Sequence, residues 1–207
     1  MWVKNIESLE KITPAQALDI LKEGNKRFLQ NKNTKHNLLE QVEQTSNGQF
    51  PVATILSCID SRTSSELIFD QGIGGIFSVR IAGNIVNEDI LGSMEYACAV
   101  AKSKVLVVMG HTKCGAVISA CNNHKSGNIT TLLNKIRPAI ELEKSVKSER
   151  NGQNIFFVNR VCELNVEVAI QKIRTQSPVL NNLEKEGKIK IVGGIYDIDN
   201  GEVSFFD

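Results

Sequence analysis

The stretch VLVVMGHTKCG, residues 105–115, decides the fold of this chain. Its first five residues are apolar, mostly β-branched and uninterrupted, which is typical of a strand buried on both faces of a parallel sheet. The residues from Cys114 to Cys121 then predict a helix. A buried strand that passes through a short polar turn into a helix is the building unit of α/β proteins.

The rest of the chain repeats this alternation. Apolar runs predict further strands at 52–57, 77–80 and 188–198, and the Asn200-Gly201 turn predicts a hairpin to a last strand at 203–206. Apolar residues at helical spacing, several of them preceded by capping residues, predict helices at 13–28, 38–45, 87–101, 129–147 and 155–174. The predicted class is therefore α/β, with a mainly parallel central sheet flanked by helices.

The length and the composition favour one domain. A chain of 207 residues with 42% hydrophobic and 23% charged residues can bury an ample core. We expect a single domain over 1–207, in which residues 1–48 form an N-terminal helical arm and 49–207 the α/β core. Because the arm precedes the sheet, its helices could pack on a dimer partner.

Several classes of protein are excluded by charge and patterning. The formal net charge is +1 and no basic run occurs, so nothing points to nucleic acid. The longest apolar run, Val105 to Met109, is far too short to span a bilayer. No targeting segment is visible, which makes a cytoplasmic location the expectation. An odd count of five cysteines without CxxC spacing argues against a disulfide framework, so each thiol is a core residue or a metal ligand.

Two polar segments each follow a predicted strand, where sites gather in open α/β sheets. Cys58 follows the strand at 52–57, and His111 and Cys114 lie three residues apart after the strand at 105–109. Two thiolates and one imidazole are a catalytic zinc set that leaves a fourth position for water, and soft sulfur ligands favour zinc over magnesium or calcium. The other interpretation of each cysteine is a small buried hydrophobe.

Asp60 and Arg62 lie beside Cys58 and two residues apart. Arginine can hold a carboxylate in bidentate geometry and keep it ionised. Such an aspartate could accept a hydrogen bond from water on the zinc, or displace that water. The alternative is an ordinary surface salt bridge of little consequence.

Together these segments resemble the β-carbonic anhydrases, whose pattern is Cys-x-Asp-x-Arg followed by His-x-x-Cys-Gly. Here the two segments are residues 58–62 and 111–115. The likeness extends over nearly the whole chain and includes GNKRF at 24–28, RIAGN at 80–84 and GIYD at 194–197.

The resemblance implies a function and roles for residues. The expected reaction is the reversible hydration of carbon dioxide to bicarbonate and a proton, by attack of hydroxide on one Zn²⁺ per subunit. Cys58, His111 and Cys114 would bind the zinc, and Asp60 and Arg62 would form the catalytic dyad. Five further positions would line the substrate pocket: Gln49, Phe77, Ala82, Tyr96 and Gly115.

The resemblance also implies an assembly and a branch of the family. The pocket lies at the interface of a homodimer in this family, and a tetramer is the larger alternative. A bicarbonate-regulated branch has a Trp three positions before the first ligand cysteine, where this chain has Ile55. We therefore expect the unregulated, plant-type branch, with water and not Asp60 as the fourth ligand near neutral pH.

Rival functions stay open at this stage. A hydrolase of carbon disulfide or carbonyl sulfide could use the same scaffold. A structural zinc-binding protein would need a fourth protein ligand, and Asp60 and Arg62 would then be unexplained. A nucleobase deaminase is excluded, because its H-x-E and P-C-x-x-C motifs are absent.

Overall fold

The computed structural model describes residues 5–206. A central sheet contains five strands: β1 (Ala53–Ser57), β2 (Ile76–Arg80), β3 (Val105–His111), β4 (Lys190–Tyr196) and β5 (Val203–Phe206). The strand order is β2-β1-β3-β4-β5, with the first four parallel and β5 antiparallel to β4. The prediction of an α/β fold with a mainly parallel sheet is confirmed.

The two central strands are buried along their whole length, as their unbroken apolar sequences predicted. Their side chains alternate between the two faces of the sheet. Ile55, Val107 and Met109 pack into one core cluster, while Leu56 and Val108 pack into another on the opposite face. The sheet is therefore the middle layer of three.

Helices cover both faces of the sheet. They are α1 (Ile6–Glu10), α2 (Pro14–Leu29), α3 (Leu38–Thr45), α4 (Ser65–Ile68), α5 (Glu88–Glu95), α6 (Gly115–Cys121), α7 (Gly127–Asn134), α8 (Arg137–Leu142), α9 (Ile155–Gln176) and α10 (Pro178–Lys185). Apolar residues of α1, α2 and α4 join the first cluster, and those of α5, α9 and α10 join the second.

Helix starts follow the capping residues in the sequence. Thr13 and Gln16 form a reciprocal capping box, and Pro14 occupies the first turn of α2. Asn87 accepts a hydrogen bond from the Ile90 N–H at the start of α5, which continues as a π-helical turn over Tyr96–Val100. These helices were predicted with nearly the same bounds.

The single helix predicted over 129–147 is wrong. The structure has two short helices there, α7 and α8, separated by Lys135 and Ile136. Pro138 lies in the first turn of α8, where its missing N–H costs nothing, but it could not continue a helix from α7. Glu143 then ends α8 in an extended conformation. The apolar spacing was correct, but it did not reveal the interruption.

The N-terminal helices divide into two groups. Leu9 of α1 and Leu21 of α2 are fully buried in the core cluster that covers the sheet. By contrast, α3 has no buried residue, and its Leu39 is 83% exposed. This chain's own sheet therefore covers the apolar faces of α1 and α2, whereas the apolar side chains of α3 lie exposed. Within 5–206, no helix combines the length and the hydropathy that crossing a bilayer requires.

Candidate metal centre

Three side chains from two neighbouring strand ends converge at one edge of the sheet. Cys58 directly follows β1, His111 is the last residue of β3, and Cys114 caps the start of α6. Because β1 and β3 pair in parallel, their carboxyl ends lie side by side. The ligand atoms of the three residues all lie within 4.8 Å of one another, and all three residues are buried.

This set of donor atoms fits a zinc ion. The Cys58 and Cys114 sulfurs are 4.0 Å apart, and two sulfurs bound to one tetrahedral zinc at about 2.3 Å would be separated by about 3.8 Å. The His111 Nδ1 lies 2.9 Å from the Thr112 carbonyl, which can only accept, so Nδ1 carries the proton. Nε2 therefore keeps its lone pair, and this buried atom has no hydrogen-bond partner among the described residues. An orphaned ring nitrogen beside two thiols is the state expected of a metal ligand.

The two thiols titrate as a pair. The Cys114 thiol can donate to the Cys58 sulfur and lowers the pKa of Cys58 to about 4, and the N–H of Gly83 acts in the same direction. The nearby Cys58 charge, together with burial, raises the pKa of Cys114 well above its usual range. In the protein without metal the pair thus holds one proton between two sulfurs, so one ligand is already a thiolate.

Asp60 and Arg62 form a bidentate pair at the mouth of this set. Arg62 donates from Nε to Oδ1 at 2.9 Å and from Nη2 to Oδ2 at 2.7 Å, and its backbone N–H also reaches Oδ1 at 3.0 Å. These hydrogen bonds hold the pKa of Asp60 well below its usual value. Oδ2 lies 3.9 Å from the His111 Nε2, so an ionised carboxylate borders the ligand atoms.

Known proteins are similar in sequence to this chain over most of its length. The family model described as "Carbonic anhydrase" matches residues 53–203. Carbonic anhydrase 2 of Mycobacterium tuberculosis is 32% identical over 202 residues, which are 94% of this chain and 93% of that protein. The carbonic anhydrase of Mycolicibacterium smegmatis is 31% identical over 196 residues, covering 92% of each chain.

Solved structures agree with the sequence comparison. The chain is similar to a β-carbonic anhydrase of Aspergillus fumigatus, with a TM-score of 0.72 and 27% identity over 93% of this chain and 90% of that one. The chain belongs to the β-carbonic anhydrase family. As a member of that family, the protein is an enzyme of the carbonic anhydrase class.

The positions that the resemblance to β-carbonic anhydrases assigned to the substrate pocket are not all together within one chain. Phe77 and Tyr96 line an open groove of about 840 Å³ between the edge strand β2 and α5. Gln49, Ala82 and Gly115 do not line this groove, and Gln49 and Gly115 are exposed. None of the residues that line the groove belongs to the Cys58, His111 and Cys114 set.

One arginine of this β-carbonic anhydrase has a role at the site that sequence analysis missed. Arg80, at the end of β2, donates from Nε to the Cys58 carbonyl at 3.0 Å and from Nη2 to the Asp60 carbonyl at 2.6 Å. The Thr63 hydroxyl donates to the same two carbonyls at 3.1 and 2.8 Å. Arg80 and Thr63 therefore fix the loop that carries both Cys58 and Asp60. Arg80 does lie in the RIAGN stretch, but the contact joins the end of β2 to the loop after β1 and has no local signature.

Proposed function

We propose that this enzyme hydrates carbon dioxide reversibly to bicarbonate and a proton, at one zinc ion held by Cys58, His111 and Cys114. The observation that carries the proposal is the convergence of two buried sulfurs on a buried imidazole nitrogen that has no hydrogen-bond partner within residues 5–206. Three protein ligands leave a coordination position for water, as in catalytic zinc sites.

The residues around the three ligands suit this reaction. Bound zinc would lower the pKa of a coordinated water to about 7 and so supply a nucleophile at neutral pH. The Thr112 carbonyl fixes the His111 tautomer, so that Nε2 faces the ligand set without a proton. Asp60 stays ionised at neutral pH because Arg62 donates a hydrogen bond to each of its carboxylate oxygens. We assign Asp60 the role of accepting a hydrogen bond from the attacking water and orienting it.

Water, and not Asp60, is our choice for the fourth ligand near neutral pH. Both Asp60 oxygens already accept hydrogen bonds from Arg62, so binding the metal would require this bidentate pair to break. This choice corresponds to the unregulated, plant-type branch of the family.

A homodimer is our proposal for the working unit. Phe77 and Tyr96, two of the proposed pocket residues, line a groove apart from their own chain's metal ligands, so a second subunit could place them at its zinc. The exposed apolar face of α3, with Leu38, Leu39 and Val42, supports a further contact with a partner. A solved relative from Sordaria macrospora, 25% identical with a TM-score of 0.67 over 81% of this chain and 89% of its own, is described as tetrameric. A pairing of dimers is the larger alternative.

Two matched cysteine variants test the proposal. Cys58→Ala removes a proposed ligand, and Cys98→Ala removes an equally buried thiol outside the ligand set. We expect wild type and Cys98→Ala to bind one zinc per chain and hydrate carbon dioxide, while Cys58→Ala loses zinc and at least about a hundredfold in activity. The measurements are zinc content by elemental analysis and stopped-flow hydration.

Three results would overturn the proposal. Wild-type activity in a zinc-free Cys58→Ala protein would remove the metal from the reaction. A zinc-loaded wild type that hydrolyses carbonyl sulfide or carbon disulfide but leaves carbon dioxide unchanged would assign a different substrate. If all solvent is excluded from the zinc, as in a closed structural site, the protein would be a metal-binding scaffold.

A further inference from the structure

A buried amide interrupts the apolar face of α9. Asn165 is 2% exposed and lies among buried neighbours such as Val161, Val166 and Ala169. Its Nδ2 donates to the carbonyl of Gly83 at 2.8 Å, across 82 residues of sequence. A polar side chain in such a place is expected to have a specific backbone partner, and here that partner belongs to the metal centre.

Gly83 connects this amide to a proposed metal ligand. Its carbonyl receives the Asn165 bond, and its own N–H donates to the Cys58 sulfur at 3.3 Å. Gly83 has a φ of +66°, and a Cβ at this position would come within 2.8 Å of the Ile136 side chain. Glycine is required there, and glycine restricts its own rotation least. The Asn165 bond therefore supplies the restraint that Gly83 itself lacks.

The same side of α9 also meets the second ligand loop. Asn159 accepts a hydrogen bond from the Lys113 N–H at 2.9 Å, and the buried Cys162 packs in the same core cluster as Cys114. Asn159, Cys162 and Asn165 recur every three residues, so they share one side of the helix. Of these three, Asn165 is the one whose contact leads to Cys58.

We propose that Asn165 is a positioning residue, which holds Gly83 so that its N–H points at the Cys58 sulfur. An N–H bond to a metal-bound thiolate draws charge from the sulfur. Asn165 therefore sets how strongly Cys58 binds the metal and how much charge it donates. This inference rests on the proposed zinc site.

The test compares two identical substitutions. Asn165→Leu keeps the branched shape of the side chain and removes its amide. Asn25→Leu is the control, because Asn25 is also buried and donates to the backbone carbonyls of Ile68 and Gly201, neither of which bonds to a proposed ligand. Each protein is loaded with Co²⁺ for absorption spectra, and its zinc affinity is measured by chelator competition.

We expect Asn165→Leu to lose about 10- to 100-fold in zinc affinity, the usual cost of removing a partner behind a ligand. Its thiolate-to-cobalt charge-transfer bands should move to longer wavelength, because a sulfur without its N–H donor holds its electrons less tightly. Asn25→Leu should leave the zinc affinity and the cobalt spectrum unchanged. Equal zinc affinity and equal spectra in Asn165→Leu and wild type would overturn the inference, and so would equal shifts in both variants.

A measurement on the wild type covers the case in which Asn165→Leu does not fold. Protein loaded with ¹¹³Cd should show a coupling between the metal and the Gly83 amide proton, transmitted through the N–H···S bond. A missing coupling would overturn the inference without any variant. Hydration by the zinc-loaded wild type is assayed separately, so an inactive wild type with an intact Gly83 signal would refute the proposed function and leave the positioning role of Asn165.

Discussion

Asp60 and Asp70 lie near each other in the sequence and each pairs with an arginine, but the two pairs are built in opposite ways. Asp60 pairs with Arg62, two residues away, and this one residue supplies all three of its hydrogen bonds. Asp70 pairs with Arg27, 43 residues away, and also accepts from the backbone N–H and the hydroxyl of Thr34. The Asp60 side chain is 16% exposed, whereas the Asp70 side chain is 1% exposed.

From this difference we propose that the Asp60–Arg62 pair serves the reaction and that the Asp70–Arg27 pair serves the fold. Asp70 joins α2, the following loop and the end of α4, so its loss would loosen three parts of the core. Asp60 is held within its own loop and keeps one oxygen near the metal ligands. We therefore expect the same Asp→Asn substitution to affect activity at position 60 and stability at position 70.

The largest expected effect is the loss of activity in Asp60→Asn. An amide cannot accept as a carboxylate does, so the zinc-loaded variant should hydrate carbon dioxide about 10² to 10⁴ times more slowly. Its free energy of unfolding should change by no more than about 1 kcal/mol, because Arg62 is half exposed. Stopped-flow hydration and urea unfolding measure the two quantities. Activity within a few-fold of wild type at full zinc content would remove Asp60 from the reaction.

The second prediction is that Asp70→Asn lowers stability and leaves activity unchanged, the reverse of Asp60→Asn. Asp70 has a φ of +48°, which asparagine tolerates as well as aspartate, so the backbone adds no penalty. Losing the charged partner of Arg27 and Thr34 should lower the free energy of unfolding by about 2 kcal/mol. Hydration per bound zinc should equal that of the wild type. A folded, stable Asp70→Asn protein with impaired turnover would show that the comparison is wrong.

The sequence predicted the local pair and missed the distant one, for a physical reason. The spacing of Asp60 and Arg62 was enough to predict their bond, because a two-residue loop segment leaves few alternatives. The convergence of Cys58 with His111 and Cys114 could be predicted because parallel strands end at the same edge of a sheet. Nothing local to Asp70 or Arg27 indicates that they meet.

The break between α7 and α8 and the bond from Asn165 to Gly83 escaped sequence analysis for different reasons. Apolar spacing continues through Lys135 and Ile136, and the interpretation followed that spacing although Pro138 is a local signal for the end of a helix. Asn165 did carry a signal, since it is polar within an apolar helical stripe. Its partner, however, depends on how α9 crosses the sheet, which no local pattern encodes.

The smallest expected effect is a change in the stability contribution of Asp70 at low pH. It tests the assignment of Asp70 to the fold. Burial alone would raise the pKa of Asp70, but the hydrogen bonds from Arg27 and Thr34 outweigh it, so the folded pKa is lowered. A group whose pKa is lower in the folded state makes its full contribution to stability when the pH is above its pKa in the unfolded state, about 3.9 for aspartate. That contribution is lost as the pH falls through the folded-state pKa. The stability gap between wild type and Asp70→Asn should thus be constant near neutral pH and narrow below about pH 4.

His36 must be kept out of this measurement, because its Nε2 lies 3.4 Å from the Asp70 carboxylate. Both proteins therefore carry His36→Gln, and urea unfolding is followed from pH 7 to 3. Each unit by which folding lowers the pKa corresponds to about 1.4 kcal/mol, so the narrowing reached at pH 3 gives a lower bound on that shift. A gap that stays constant to pH 3 would mean that the hydrogen bonds of Asp70 do not depend on its charge. Asp70 would then stabilise the fold as a neutral acceptor does, and the contrast with the ionised Asp60 would rest on charge as well as on position.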